Sequence, residues 1–253
     1  MMANLSPYLW FAVSLVALLV AHRWFRQRLF GLLLLITRRP KWAYFVYAGL
    51  FFPGVVLHEV SHWVSAKLLK VRTYGLSLKP KIYPDGSIRF GYVEMERPDA
   101  FRSALIGAAP LIAGTVALAL LGSVCVGWDS AVQSSLAGEW PLVIEHLQGL
   151  KNTPVLGLWV YLALVISNTM LPSASDRSAW LPVVGFATAL GGALLLLGCG
   201  PKAAAVLADP LERAVRLLAA VFTLAAALDF LLLPPLWLLE RLLARLIGLR
   251  VAN

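Results

Sequence analysis

The chain has 253 residues, of which 60% are hydrophobic and only 14% are charged, with a mean hydropathy of +0.77. A soluble domain carries about a quarter charged residues, so the composition excludes an ordinary soluble protein and predicts a polytopic membrane protein in contact with the lipid bilayer. The formal net charge of +9 does not indicate a nucleic-acid partner, because the Lys and Arg residues flank apolar runs, where they act as orientation and headgroup anchors.

The first part of the chain predicts two helices and an intervening segment. A first helix covers about Leu9 to Ala21 and leads into the basic stretch His22 to Arg28. The run Leu29 to Ile36 is too short to cross a bilayer alone, and it fits either an interfacial helix or a continuation of the first helix. Trp42 to Leu69 then predicts a membrane helix of about 28 residues. Pro53-Gly54 predicts a kink within it.

An HExxH motif, His58-Glu59-Val60-Ser61-His62, lies in the second half of that predicted helix. Residues four apart point to the same side of a helix, so His58 and His62 can hold one zinc ion together. Glu59 beside them would accept a proton from the metal-bound water. The alternative is a pair of buried, hydrogen-bonded histidines with an accidental Glu, which is expensive inside an apolar helix.

The stretch from Val71 to Met95 is the one strand-like part of the sequence. It alternates polar and apolar residues, and Pro84-Asp85-Gly86 predicts a turn in its middle. We therefore expect a small β-hairpin directly after the metal-binding helix. It is either a solvated surface hairpin or a sheet edge that captures an extended substrate segment, in which case Ile88 and Phe90 are candidate substrate-binding residues.

The rest of the sequence predicts further apolar helices around one more polar segment. Small residues at Gly107-Ala108-Ala109-Pro110 favour close packing of the helix that contains them. Trp128 to Pro154 is more polar and predicts an extramembrane loop or interfacial helix. The Pro234-Pro235 pair predicts a break after the last membrane helix, followed by an amphipathic helix with Glu240 on its polar face. The predicted helices are Phe101 to Val126, Val155 to Leu171, Ala179 to Leu197, Leu211 to Leu233 and, beyond the break, Leu236 to Leu249.

These elements predict an all-α polytopic membrane protein with about six transmembrane helices and one small β-hairpin after the HExxH helix. No internal repeat or low-complexity linker divides the chain, so we expect a single domain over residues 1–253. Its core would extend over residues 42–177, with the C-terminal helices at 179–253.

The motif supplies two zinc ligands, and a catalytic zinc site takes a third ligand from the protein. Two acidic residues are candidates. Asp176 follows a helix end and a Pro-containing break, where non-helical backbone can reach a protein-lined cavity. Asp229 lies deep in the sixth predicted helix, and acids at membrane depth are functional by default. The residues by themselves leave this choice open.

Taken together, the motifs resemble those of the site-2 protease family of intramembrane zinc metalloproteases. His58 to His62 matches the family's first motif, while Asn168 and Asp176 match the two fixed positions of its second. The hairpin and the Gly107–Pro110 segment resemble the family's β-loop and small-residue motif. The resemblance covers about residues 42–177. Where the family usually has Gly after the acidic ligand, this chain has Arg177.

The resemblance implies a zinc-dependent endopeptidase. His58, His62 and Asp176 would be the zinc ligands, Glu59 the general base, and Asn168 a donor to the substrate backbone or the developing oxyanion. The substrates would be membrane-spanning or membrane-anchored proteins, and the location the bacterial inner membrane. Two other classes remain open: a non-proteolytic membrane protein with a structural or regulatory metal site, and a solute transporter.

Overall fold

The computed structural model describes residues 7–78, 81–82, 88–89, 91–126, 145, 155–196 and 200–248. The predicted turn at residues 84–86 and nearly all of the predicted loop at 128–154 lie outside the described residues. The described part is mostly helical with a small antiparallel hairpin, as the sequence predicts. The helices are α1 (Pro7–Thr37), α2 (Pro40–Leu50), α3 (Phe52–Leu68), α4 (Ala100–Val126), α5 (Leu156–Thr169), α6 (Trp180–Leu196) and α7 (Gly200–Ile247).

Three helical segments are long and apolar enough to cross a membrane, namely Pro7–Thr37, Ala100–Ser123 and Val206–Ile247. The bent pair α2 and α3 would make a fourth span if it is counted as one. The described residues therefore contain three or four candidate membrane spans, and the six predicted transmembrane helices are not confirmed. The 14-residue helix α5 is too short, because it is about 21 Å long against a hydrocarbon core of about 30 Å.

Helix α1 is continuous over 31 residues, so the Leu29–Ile36 run continues the first helix. It packs along α7, and the two helices run parallel. Near its start the Trp10 indole N–H donates a hydrogen bond to Thr223 Oγ1 at 3.1 Å. Two turns before its end, Arg28 forms an ion pair with Glu240 at 3.0 Å.

The prediction of a break at Pro234-Pro235 is wrong, because α7 passes through both prolines and through Pro210 without interruption. Each proline removes one backbone hydrogen bond, but residues on both sides of the pair pack on the common core. Packing over such a length can hold a helix together through prolines. The predicted exposure of Glu240 is also wrong: the residue is 6% exposed, because its carboxylate faces Arg28 on α1.

The HExxH helix is bent as predicted, but at a slightly different place. The chain turns by 70° at Phe51, between α2 and α3. Pro53 then lies in the first turn of α3, where its missing N–H costs no helical hydrogen bond. The bend turns α3 away from the direction of α2 and towards α4 and α5, against which it packs.

The predicted hairpin forms directly after α3. Strand β1 (Thr73–Ser77) pairs antiparallel with β4 (Tyr92–Met95), with a bulge between Thr73 and Gly75. Farther along, β2 (Lys81–Ile82) pairs with β3 (Ile88–Arg89). The start of the hairpin is fixed to α3, because the Val71 N–H donates to the Ala66 carbonyl at 2.9 Å.

Candidate metal centre

Helix α3 presents its two histidines to the same point. Their Nε2 atoms are 3.2 Å apart, and the rings meet edge to face with centroids separated by 4.8 Å. This arrangement follows from the four-residue spacing, which places His58 and His62 one helical turn apart. His62 is 7% exposed, so the pair lies inside the helix bundle and not on its surface.

The other nitrogen of each ring is held by a backbone carbonyl of a different helix. His58 Nδ1 lies 2.7 Å from the carbonyl oxygen of Thr169 at the end of α5. His62 Nδ1 lies 2.8 Å from the carbonyl oxygen of Ile106 in α4. A carbonyl only accepts, so each Nδ1 must carry the proton and each Nε2 must carry the lone pair. Orientation of this kind by a carbonyl acceptor is characteristic of metal-binding histidines.

Asp176 completes the group from the turn that follows α5. Its carboxylate oxygens lie 3.4 Å from His62 Nε2 and 3.8 Å from His58 Nε2. The Ser173 backbone N–H donates to Asp176 Oδ2 at 2.7 Å and thereby orients the carboxylate. Burial alone would raise the pKa of Asp176, but the neighbouring His62 ring and the hydrogen bonds from Ser173 outweigh burial and hold that pKa well below its usual range. The carboxylate is therefore ionised and ready to bind a cation.

The donor set fits zinc. Ligand atoms about 2.0–2.1 Å from a tetrahedral zinc ion lie about 3.3–3.4 Å from one another. The separations in this group, 3.2, 3.4 and 3.8 Å, are close to that length. Two imidazole lone pairs at 3.2 Å would repel each other unless a cation lay between them. Among the described residues, three side chains that can bind a metal form this group. Catalytic zinc sites likewise have three protein ligands and a fourth position for water.

Glu59 lies beside this group on the wall of a cavity of about 370 Å³ that the histidines and Asp176 also line. The residue is 9% exposed. Its side chain contacts the hairpin at Gly91, where a Cβ atom would be 2.6 Å from Glu59 Cγ and 3.0 Å from Oε1. Only a glycine leaves room there, so the hairpin abuts the carboxylate that the sequence identifies as the base.

Asn168 also lines the cavity, but its amide is already engaged. Nδ2 donates to the Leu164 carbonyl at 3.1 Å and to Asp229 Oδ1 at 2.7 Å, which uses both amide hydrogens. The predicted donation to a substrate or an oxyanion would require one of these bonds to break. Asp229 is fully buried and belongs to this pair, not to the metal group. Of the two candidate third ligands, the fold therefore brings Asp176 to the histidines.

Two glycines allow the ligand-bearing segments to approach one another. Gly54 on α3 lies against α5, where a Cβ atom would meet the Val165 carbonyl oxygen and the Thr169 hydroxyl. Gly107 on α4 lies against the Asp176 backbone, whose carbonyl oxygen would collide with an added Cβ. The small-residue segment at 107–110 thus packs closely, as predicted, and its specific contact is the turn that carries Asp176.

The cavity has hairpin residues other than the predicted ones. Gly91, directly before β4, and Val93 and Met95 within β4 line it at alternate positions of the chain. Ile88 lies in β3 opposite Ile82, and Phe90 lies outside the described residues, so neither prediction is tested. The hydrogen bond between Asn168 and Asp229 was not predicted from the sequence. Its only signal there is that each of these polar residues lies in an apolar run.

Comparison of the chain with protein-family models, with curated proteins and with solved structures found no match. The functional assignment therefore rests on the site itself.

Proposed function

We propose that the chain is an intramembrane zinc metalloprotease of the site-2 protease type, which hydrolyses peptide bonds of membrane-spanning or membrane-anchored proteins in a bacterial inner membrane. One observation carries the proposal. The Nε2 atoms of His58 and His62 and the carboxylate of Asp176 converge at zinc-ligand spacing, with both Nδ1 atoms held by backbone carbonyls. Glu59 lines the same cavity.

Each residue of the site has a definite task in this reaction. His58, His62 and Asp176 would hold zinc, which when bound supplies Lewis acidity and makes water a nucleophile near neutral pH. Glu59 accepts the proton of the attacking water and delivers it to the leaving amine. Glu59 is nearly buried beside the hairpin, which limits the contact of its carboxylate with bulk water during that proton transfer.

The hairpin gives a means of presenting the substrate. A peptide in a membrane helix has its carbonyls hydrogen-bonded, so it must unwind before it can be attacked. Strand β4 pairs with β1 on one edge, and its other edge is not paired with any described strand. An extended segment added to that edge would lie beside Gly91 and Glu59, where β4 meets the cavity.

Membrane residence is supported by the length and apolar character of α1, α4 and α7. Large apolar side chains on these helices are also extensively exposed in the isolated chain, for example Val16 at 61%, Leu120 at 59% and Leu231 at 71%. Such side chains are expected where helices face lipid, and they would be costly on a water-exposed surface.

The decisive experiment is Glu59→Gln. The variant keeps the shape of the side chain and all three ligands but removes the base. We expect bound zinc to be retained and cleavage of a membrane-anchored reporter to fall by about 10²–10⁴-fold. Zinc content by elemental analysis and fragment release by immunoblot measure the two effects.

Glu212→Gln is the matched control, because Glu212 is an exposed residue of α7 that pairs with Arg216 outside the cavity. It should change neither zinc content nor cleavage. Full cleavage by Glu59→Gln with zinc bound would refute the proposed mechanism. Zinc held without any cleavage in the wild type would favour the structural-metal alternative.

A further inference from the structure

A second cavity, of about 450 Å³, lies between α1 and α2 next to the metal cavity. Its polar lining consists mostly of hydrogen-bond donors. From α1 come His22, Arg23, Arg26 and Gln27, and from α2 come Tyr44 and Tyr47. Leu19 and Phe30 add apolar surface at the two ends of the α1 segment. No Asp or Glu of the described residues lines this cavity, so it carries an excess of positive charge.

The positive charge there is not neutralised within the described fold. Arg28, in the same stretch of α1, has Glu240 as its carboxylate partner. Neither Arg23 nor Arg26 has a described carboxylate at ion-pair distance. Both arginines are exposed in the isolated chain, but on a helix with apolar segments on both sides in a bilayer their charges are costly unless an anion or water balances them. The two that face the cavity are three residues apart and therefore lie on the same side of α1.

The remaining polar groups suit an anion with several oxygens. His22 lines the cavity, is only 9% exposed, and has no hydrogen-bond partner for its Nδ1 atom. The Arg26 guanidinium lies close to the Tyr47 side chain, and both residues line the cavity. Arg side chains bind phosphate oxygens in a forked geometry, and basic pockets between membrane helices are typical sites for phosphorylated headgroups.

We propose that this cavity, referred to as the α1–α2 cavity, binds a phosphate-bearing anion through Arg23 and Arg26. The phosphate belongs either to the headgroup of an anionic phospholipid or to a small soluble phosphate ester. Arg26 and Tyr47 also line the metal cavity, so the anion would be a direct neighbour of the proposed substrate site. The binding itself does not depend on the proposed proteolytic function.

The test uses the full chain in detergent as the Glu59→Gln variant, so that binding is measured in the absence of turnover. Native mass spectrometry follows titration with phosphatidylglycerol and with phosphatidylcholine of identical acyl chains. We expect phosphatidylglycerol to bind at least about tenfold more tightly, since the described lining of the α1–α2 cavity has two arginines and no carboxylate. Inorganic phosphate and glycerol 3-phosphate are then added as competitors. Competition would show that the cavity also takes soluble phosphate compounds. Lack of competition would show that it takes the phosphate only as part of a lipid headgroup.

Arg23 lines the α1–α2 cavity but not the metal cavity. The substitution Arg23→Gln removes its positive charge and should weaken phosphatidylglycerol binding about tenfold or more. The matched control is Arg245→Gln, an exposed arginine near the end of α7 that lines neither cavity. It should change binding less than about twofold. Arg23→Lys keeps the charge without the fork and should give an intermediate loss, which covers the case in which Arg23→Gln does not fold. Equal binding of the two lipids, or equal losses in Arg23→Gln and Arg245→Gln, would overturn the proposal.

Discussion

Gly107→Ala tests whether the third ligand is positioned by helix packing, because it alters neither a ligand nor a charged group. A Cβ atom at this position would collide with the Asp176 carbonyl oxygen and lie 2.9 Å from its carbon and 3.3 Å from Asp176 Cα. Ordinary contacts of a Cβ atom begin near about 3.4 Å, so the Asp176 segment must move by about 1 Å. Zinc sites tolerate displacements of only about 0.2 Å.

The expected loss of zinc affinity depends on how much strain the added Cβ atom causes in the zinc-bound protein compared with the metal-free protein. Overpacking of this kind costs about 1–3 kcal/mol. The metal-free protein can relieve it by shifting the Asp176 turn outward, whereas the zinc-bound protein cannot, because the carboxylate must stay beside His58 and His62. The strain therefore appears as lost zinc affinity, by a factor of about 5–150. Cleavage should fall in parallel at limiting zinc and recover in part when zinc is added.

Zinc affinity is measured by competition with a fluorescent chelator on the purified chain. Gly185→Ala is the control, since Gly185 lies within α6 and a Cβ atom there would meet nothing within 4 Å. It should leave zinc affinity unchanged and raise helix stability by up to about 1 kcal/mol. Wild-type zinc affinity in Gly107→Ala would refute the conclusion that this contact holds Asp176 in place.

Further substitutions test the buried polar pairs. Asp176→Ala should lower zinc affinity by at least about tenfold, while Asp229→Ala should leave zinc bound; calorimetric titration would reveal the reverse ranking if Asp229 were the ligand. Asp229→Leu should destabilise the fold by about 1–3 kcal/mol because it leaves one buried N–H of the Asn168 amide without an acceptor. Asp229→Asn, which can still accept that bond, should cost less than about 1 kcal/mol by denaturant unfolding, and equal losses would contradict the pairing. Arg28→Met should cost about 1–3 kcal/mol by leaving Glu240 buried without a partner, and Glu240→Gln in the same chain should recover part of it in a double-mutant cycle.

The helical class, the hairpin and the juxtaposition of the two histidines were predictable because each depends on neighbouring residues. Apolar runs define helices, alternation defines strands, and the four-residue spacing of His58 and His62 brings them together in any helix. The helix ends were less predictable. Whether Leu29–Ile36 continues α1, and whether Pro234-Pro235 breaks α7, depends on the packing of these two helices against each other, which no local pattern contains.

The HExxH stretch by itself therefore determined that two histidines at metal-ligand spacing and a neighbouring Glu lie on one helix. The tertiary structure alone decided between Asp176 and Asp229, more than a hundred residues along the chain from His58. Both acids are plausible as buried carboxylates, and the packing of the helices distinguishes them, including the close contact of Gly107 with the turn after α5. That contact brings Asp176 to the histidines, while Asp229 is hydrogen-bonded by Asn168. Which acid lies beside the histidines depends on which helix surfaces pack together. A buried carboxylate is tolerated at any position where a hydrogen-bond donor or a cation contacts it, so the sequence around each acid does not distinguish them.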